Sequence, residues 1–158
     1  MGRLSQYEGA LDRSPRGHVT ASRVGADLRS ILLDPLLRLM RRDGAYAVVH
    51  THPSDGPFSE WDALLLFLRP EVRALVVVGA RGTVYLMSRL SSWTRPLFDE
   101  LAQAYGDANA RRDDETARLI AAGTMARWAA RCEQVHRAWA EIARPFGLRY
   151  TRVEVHGR

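Results

Sequence analysis

The fold of this chain is decided by residues 45–62, AYAVVHTHPSDGPFSEWD. The segment begins with a short apolar strand that ends near His50 and has the composition of a strand buried on both faces. Residues 51–58 contain two prolines and a glycine, which predict a loop. Ser59 then starts a helix, because Ser59-Glu60-Trp61-Asp62 matches the serine–x–x–acid capping pattern and an apolar run follows it. The segment therefore predicts a strand, a loop and a helix in succession.

The residues before this segment predict two strands and one helix. Residues 7–11 and 18–21 have strand composition on either side of a turn at 12–17, which contains a proline and a glycine. The apolar residues of 27–40 follow helical spacing, although Pro35 should break or kink that helix.

The residues after the segment alternate between strands and helices. Pro70 ends the helix that Ser59 starts. The predicted elements that follow are strands 74–79 and 83–88 around a turn, a helix from about 94 to 106, a longer helix from about 113 to 143, and a last strand over about 148–155. The apolar side chains of the longer helix form one stripe that predicts core packing, namely Ile120, Trp128, Cys132, Val135, Trp139 and Ile142.

This order of elements predicts an α/β or α+β fold, with a central mixed β-sheet flanked by helices in three layers. The chain has 158 residues and a hydrophobic content of 46%, which suits one domain with its own core over residues 1–158. The helical C-terminal part covers about 94–144 of that domain.

The charged residues are mostly basic, with a formal net charge of +5. All 23 basic residues are arginines, so the chain has no lysine to act as a Schiff-base nucleophile. The arginines are scattered, and the densest local groups are pairs such as Arg41-Arg42. Without a basic patch interleaved with aromatic residues, a solvated surface is the better interpretation, and nucleic acid is not the expected partner.

The single cysteine, Cys132, cannot form an intrachain disulfide, and its place on the helical stripe predicts a small buried side chain. The N-terminus has no signal-peptide pattern, and no apolar run approaches the roughly 18 residues of a membrane helix. We therefore expect a cytoplasmic protein without a membrane partner.

Residues 50–62 also contain a candidate metal site. His50 and His52 are separated by one residue at a strand end, so their side chains project to the same side. Asp62 lies one turn into the next helix, where it can face back toward the strand end. Two histidine nitrogens and one carboxylate oxygen are typical of a catalytic zinc site, which leaves a fourth position for water. Asp55 is an alternative carboxylate, although its Ser-Asp-Gly-Pro context predicts a turn residue.

These residues resemble the signature of the JAMM (JAB/MPN) zinc metalloproteases. That signature is an upstream glutamate, His-x-His-Pro, a short loop and Ser-x-x-Asp, which here correspond to His50-Thr-His52-Pro53 and Ser59-Glu-Trp-Asp62. Six residues separate His52 from Ser59, one fewer than the commonest family spacing, which we interpret as a tolerated loop deletion. The resemblance covers about residues 4–90, and the rest of the chain agrees only in general shape.

The resemblance implies a cytidine-deaminase-like JAB/MPN fold and hydrolysis of peptide or isopeptide bonds, with a ubiquitin-like or other protein or peptide as substrate. It implies Zn²⁺ bound by His50, His52 and Asp62. Glu8 is the sole glutamate before His50, and so it corresponds to the general base. Ser59 would donate a hydrogen bond to the oxyanion.

Three other interpretations remain open to different degrees. An amidohydrolase-type barrel also uses His-x-His, but it needs about 250 residues. A non-catalytic MPN-like scaffold lacks one or more ligands, whereas this chain has all of them. A nucleic-acid-associated binding protein agrees with the charge alone. The remaining histidines, His18, His136 and His156, have no partners at useful spacing, and a homodimer through the helical half is compatible with the sequence.

Overall fold

A computed structural model describes residues 7–12, 18–24, 40–91, 93 and 96–154, the first two ranges by their backbone. Within these described ranges, six strands form one mixed sheet, and four helices follow or separate them. The strands are β1 Tyr7–Asp12, β2 His18–Val24, β3 Tyr46–His52, β4 Val72–Gly79, β5 Thr83–Arg89 and β6 Leu148–Glu154. The helices are α1 Glu60–Leu68, α2 Phe98–Ala110, α3 Asp113–Ala121 and α4 Arg127–Ile142.

The strand order across the sheet is β2-β1-β3-β4-β5-β6. Only β3 and β4 run parallel, with His50 opposite Val77 and His52 opposite Gly79. The other neighbouring strands are antiparallel. Helix α1 is the crossover between the two parallel strands, which is the connection that such a pair requires. The expected mixed sheet with helices is therefore confirmed.

The core lies between one face of this sheet and the helices. Alternate residues of the central strands are buried there, such as Leu75 and Val77 on β4 and Tyr85 and Met87 on β5. Leu66 of α1, Leu101 of α2 and Trp139 of α4 are fully buried in the same core. The predicted helix over 27–40 would supply the third layer, and all but its last residue lies outside the described residues.

Helix α1 has a defined beginning and end. Ser59 is its N-cap and forms a reciprocal capping box with Asp62. At the other end, the Arg89 guanidinium donates to the carbonyls of Leu66, Arg69 (2.9 Å) and Pro70 (2.8 Å). The bonds to Leu66 and Arg69 satisfy carbonyls that a helix end leaves without an intrahelical partner.

The prediction for residues 51 and 52 was wrong, since both belong to β3 and not to the loop. The parallel pairing with β4 continues to His52 and extends the strand. Alternation along β3 is also clearer than expected, because Tyr46, Val48 and His50 are buried and the residues between them are only partly buried.

The C-terminal helices also differ from the prediction. Helix α2 begins at Phe98 and continues through Gly106 to Ala110, because its burial of Leu101 and Ala108 outweighs the small helix penalty of one glycine. The single helix predicted over 113–143 is two helices, α3 and α4.

Gly123 separates α3 from α4. It has a φ of +64°, and its N–H bonds the carbonyl of Ile120 while the N–H of Thr124 bonds that of Leu119. These two bonds form a Schellman motif, which ends a helix at a left-handed glycine.

The predicted apolar stripe is correct for Trp139 and Ile142, which are buried, and for Val135, which packs on the core. It is wrong for Trp128, which is 41% exposed and lies under the Arg81 guanidinium at 4.0 Å. Trp128 lies in the first turn of α4, where its ring contacts the β4–β5 turn through Arg81.

Candidate metal centre

The predicted ligands His50, His52 and Asp62 meet at the carboxyl end of β3. The Nε2 atoms of His50 and His52 are 3.0 Å apart, as expected for residues two apart on a strand. His50 is buried, and His52 is partly buried. Asp62 reaches both rings from the first turn of α1, with its Oδ1 3.2 Å from His50 Nε2 and its Oδ2 3.6 Å from His52 Nε2.

These distances can be compared with those that a metal ion imposes on its ligands. Ligand atoms about 2.05 Å from a tetrahedral ion lie about 3.3 Å from each other. The three separations of 3.0, 3.2 and 3.6 Å bracket that value. One ligand atom from each residue lies within 4.8 Å of the others, and so the group can hold a metal ion.

Hydrogen bonds orient two of the three side chains. The Nδ1 of His52 is 3.0 Å from the carbonyl oxygen of Gly56, which can only accept. Nδ1 therefore donates, and in the neutral ring Nε2 keeps its lone pair toward Asp62 and His50. Asp62 Oδ2 accepts from the backbone N–H of Ser59 at 2.7 Å and from its hydroxyl at 2.8 Å.

The charges at the site favour an ionised Asp62, and the surroundings of His52 disfavour its protonation. Burial raises the pKa of Asp62, but the hydrogen bond from His50 and the positive charge that either histidine carries when protonated lower it by more, to about 2. Burial lowers the pKa of His52, and the charge of Asp62 only partly offsets this effect. A carboxylate and neutral imidazoles are the forms that bind a cation.

Two side chains of helix α4 contact the loop between β3 and α1. Phe58 is fully buried, and its carbonyl accepts a 2.7 Å hydrogen bond from the indole Nε1 of Trp139. Cys132, predicted as a small buried side chain, is only half-buried. Its thiol lies 3.6 Å from the carbonyl oxygen of Ser54 and so contacts the loop. The sequence predicted both residues as stripe members, and nothing in their spacing indicated these loop contacts.

Asp55 does not join the metal ligands. Its carboxylate accepts hydrogen bonds from the N–H of Arg81 and the hydroxyl of Thr83, both at 2.9 Å. Its φ of +56° places it in a left-handed turn conformation, which aspartate tolerates better than most residues. The turn role that the sequence predicted for Asp55 is therefore confirmed.

Glu8 lies on β1, next to the strand of the two histidines. Its neighbour Gly9 pairs with Val49 in the antiparallel ladder, so one further step of that register places the Glu8 backbone opposite His50. The base role of Glu8 and the oxyanion role of Ser59 stay predictions.

His136 lies apart from the ligands, with its Nδ1 3.0 Å from the Tyr150 hydroxyl. Only the backbone of His18 is described, and His156 is outside the described residues.

A groove of about 450 Å³ lies beside the first turn of α1. Glu60, Tyr105 and Asn109 line it together with residues of α4. Burial and the negative charges of Glu60 and Asp62 raise the pKa of Tyr105 to about 12, so its hydroxyl stays protonated at neutral pH. The side chain of Trp61, next to Asp62, is 69% exposed. Trp61 is therefore available for contact near the candidate ligands, and the partly buried Tyr105 lines the groove.

Comparison with known proteins adds no evidence to these geometric observations. The chain matches no protein-family model, no curated protein and no solved structure at a significant level of similarity. Among the described residues, no helix is both long enough and apolar enough to cross a membrane.

Proposed function

We propose that this protein is a zinc-dependent hydrolase of peptide or isopeptide bonds of the JAMM type. The observation that carries the proposal is the convergence of His50, His52 and Asp62 at a strand–loop–helix junction. The distances between their ligand atoms are close to those in a tetrahedral metal site. The ligand chemistry, two imidazoles and one carboxylate, favours zinc over calcium or magnesium, which prefer all-oxygen ligands.

The proposal includes the JAB/MPN architecture. Its support is the crossover of α1 between the parallel strands β3 and β4, the hairpin of β4 and β5, and the antiparallel β1 beside the ligand strand. In this arrangement Glu8 and the two histidines lie on neighbouring strands, so all of them could take part in one reaction at the carboxyl end of β3.

A bound zinc ion would supply the Lewis acidity that amide hydrolysis needs at neutral pH. His50, His52 and Asp62 would hold it, and the bonds from Gly56 and Ser59 keep the ligand atoms in place. Glu8 would accept a proton from the attacking water and pass it to the leaving nitrogen.

Ser59 has two tasks in this proposal. Its hydroxyl donates to Asp62 Oδ2, and so it first positions a ligand. An oxyanion role requires the same hydroxyl proton to turn from Asp62 to the substrate. We therefore expect Ser59→Ala to weaken both metal binding and turnover.

The substrate would be a protein or peptide, and a ubiquitin-like protein is the form that the JAMM resemblance suggests. A peptide segment leaving the ligand site toward α2 would meet the groove with Glu60, Tyr105 and Asn109. The protonated Tyr105 hydroxyl and the Asn109 amide are groups that can bond a peptide backbone.

The deciding experiment is elemental analysis of purified wild type beside His52→Ala and Asp62→Ala. We expect about one zinc per chain in wild type and little in either variant. His136→Ala is the matched control, because His136 is half-buried and bonded to Tyr150 away from the ligands. A folded wild type that takes up no supplied zinc would contradict the proposal and favour a metal-free scaffold.

The base is tested separately. Glu8→Gln should keep the zinc and lose turnover of any peptide or isopeptide conjugate that wild type cleaves, because it removes a base and not a ligand. Full turnover in Glu8→Gln would show that another group takes the proton.

A further inference from the structure

Asp55 occupies a conformation that its side chain alone does not explain. It is buried, and it is the one non-glycine residue with positive φ (+56°) among the residues that the structure describes. Such a conformation is unfavourable for a residue with a Cβ and persists where the surroundings hold it.

Four hydrogen bonds hold Asp55 in this conformation. Its carboxylate oxygens accept from the Arg81 N–H and from the Thr83 hydroxyl, both at 2.9 Å. Its carbonyl accepts from the Tyr85 hydroxyl at 3.1 Å, and its own N–H donates to the carbonyl of His52 at 3.2 Å. Asp55 therefore ties the loop after the histidines to the β4–β5 hairpin.

The hairpin is shaped to receive Asp55. A Cβ on Gly79 would come within 2.9 Å of the Asp55 Cα and would overlap its carboxylate. The N–H of Ala80 shares the His52 carbonyl with Asp55, at 3.2 Å. Backbone groups from both sides of the turn thus meet at His52.

The residue after Asp55 makes the contact that matters for the ligand. The carbonyl oxygen of Gly56 is 3.0 Å from His52 Nδ1. A neutral imidazole carries one proton, so a proton held on Nδ1 leaves Nε2 free to bind a cation. The position of the Gly56 carbonyl therefore selects the tautomer of His52.

We infer that Asp55 is a positioning residue, which fixes the Gly56 carbonyl and thereby holds His52 in the Nδ1–H tautomer with Nε2 ready for a metal. The inference rests on the metal site proposed above. It assigns Asp55 no contact with substrate and no place among the ligands. Its effect reaches the site through one peptide unit and one hydrogen bond.

The tautomer can be measured without metal or substrate. In metal-free protein labelled with ¹⁵N, long-range ¹H–¹⁵N correlation spectra of the imidazoles report which ring nitrogen of His52 carries the proton. We expect Nδ1–H in wild type. Asp55→Gly tolerates the positive φ but removes the carboxylate, so the Nε2–H form of His52 should become populated.

The conservative variant and the control separate positioning from general stability. Asp55→Asn still tolerates the turn conformation and can still accept from Arg81, so it should restore most of the wild-type tautomer. Asp43→Asn removes an exposed aspartate that pairs with Arg41, and it should leave His52 unchanged. If Asp55→Gly does not fold, Thr83→Val removes one of the two bonds to the carboxylate and tests the same path.

Metal affinity gives a second readout. Partners that orient a ligand typically contribute 10- to 100-fold to metal affinity. We expect zinc affinity to fall by about that factor in Asp55→Gly and to stay within about twofold of wild type in Asp43→Asn.

Two results would overturn the inference. One is a wild type whose His52 carries its proton on Nε2, and the other is a folded Asp55→Gly with the wild-type tautomer. A protein that binds no zinc, yet shifts its His52 tautomer in Asp55→Gly, would refute the proposed function and leave the role of Asp55 intact.

Discussion

Replacing Trp139 by phenylalanine tests how strongly helix α4 holds the metal-binding loop. The indole is fully buried, its Nε1 donates to the Phe58 carbonyl at 2.7 Å, and its ring lies 4.7 Å from that of Tyr105. Phenylalanine keeps an aromatic ring but removes the N–H and part of the ring volume.

The expected loss has two parts. The Phe58 carbonyl would lose its donor in a buried place, which costs about 1–3 kcal/mol. The smaller ring leaves a partial cavity that adds roughly 1 kcal/mol to that loss. The free energy of unfolding should therefore fall by about 2–4 kcal/mol. With a urea m-value of roughly 2 kcal/mol/M, the unfolding midpoint should fall by about 1–2 M.

The assay is urea unfolding of metal-free protein followed by circular dichroism. Trp61→Phe is the matched control, because Trp61 is 69% exposed and its replacement should change stability by less than about 0.5 kcal/mol. The reasoning is refuted if Trp139→Phe loses less than about 1 kcal/mol, or if the two variants lose the same amount.

Three further predictions concern the ligands, the hairpin and pH. At free zinc about 1,000-fold above its Kd, binding should stabilise the protein by about 4 kcal/mol and raise its Tm by roughly 8–16 °C, and Asp62→Asn should remove most of that rise in calorimetry. Gly79→Ala should lower the free energy of unfolding by about 1–3 kcal/mol, since its Cβ would press on the Asp55 turn. Burial raises the pKa of Glu133, but hydrogen bonds from two arginines, Arg152 foremost, lower it more. The resulting stability is present above about pH 4.5 and is lost as the pH falls through the folded-state value, so the stability difference between wild type and Glu133→Gln should shrink in acid.

Each of these predictions has a result that would contradict it. A Tm rise of equal size in Asp62→Asn would place the zinc elsewhere. Gly106→Ala is the control for the hairpin, because a Cβ there meets nothing within 4 Å and should stabilise α2 by up to about 1 kcal/mol. A loss of stability in Gly106→Ala as large as that in Gly79→Ala would remove the steric argument. A constant difference between wild type and Glu133→Gln from pH 7 to pH 3 would show that the ion pair contributes nothing.

Much of the candidate site was predictable because it depends on local spacing. Residues two apart on a strand share a face, which brings the Nε2 atoms of His50 and His52 within 3.0 Å. The serine–x–x–acid pattern both caps α1 and turns Asp62 toward the strand. The same local rules predicted the β4–β5 hairpin and the last strand.

The errors in the helix boundaries arose where one local sequence pattern is compatible with two structures. Helical periodicity continues on both sides of Gly123, and only the left-handed conformation of that glycine divides α3 from α4. Gly123 itself was the available signal, since a glycine inside a long periodic stretch can be a helix end. Gly106 has the same composition signal and lies inside α2, where packing decides the outcome.

The sequence by itself determined the order of the strands and the convergence of the three ligands, because strand and helix periods set which neighbouring residues share a face. Only the tertiary structure decided what holds the ligands in place. Trp139 lies 81 residues from the carbonyl it bonds, and Arg81 lies 26 residues from Asp55. The periodicity of a single strand or helix cannot predict such pairs, because the distance in space between the two partners depends on how helices and hairpins pack across the whole core.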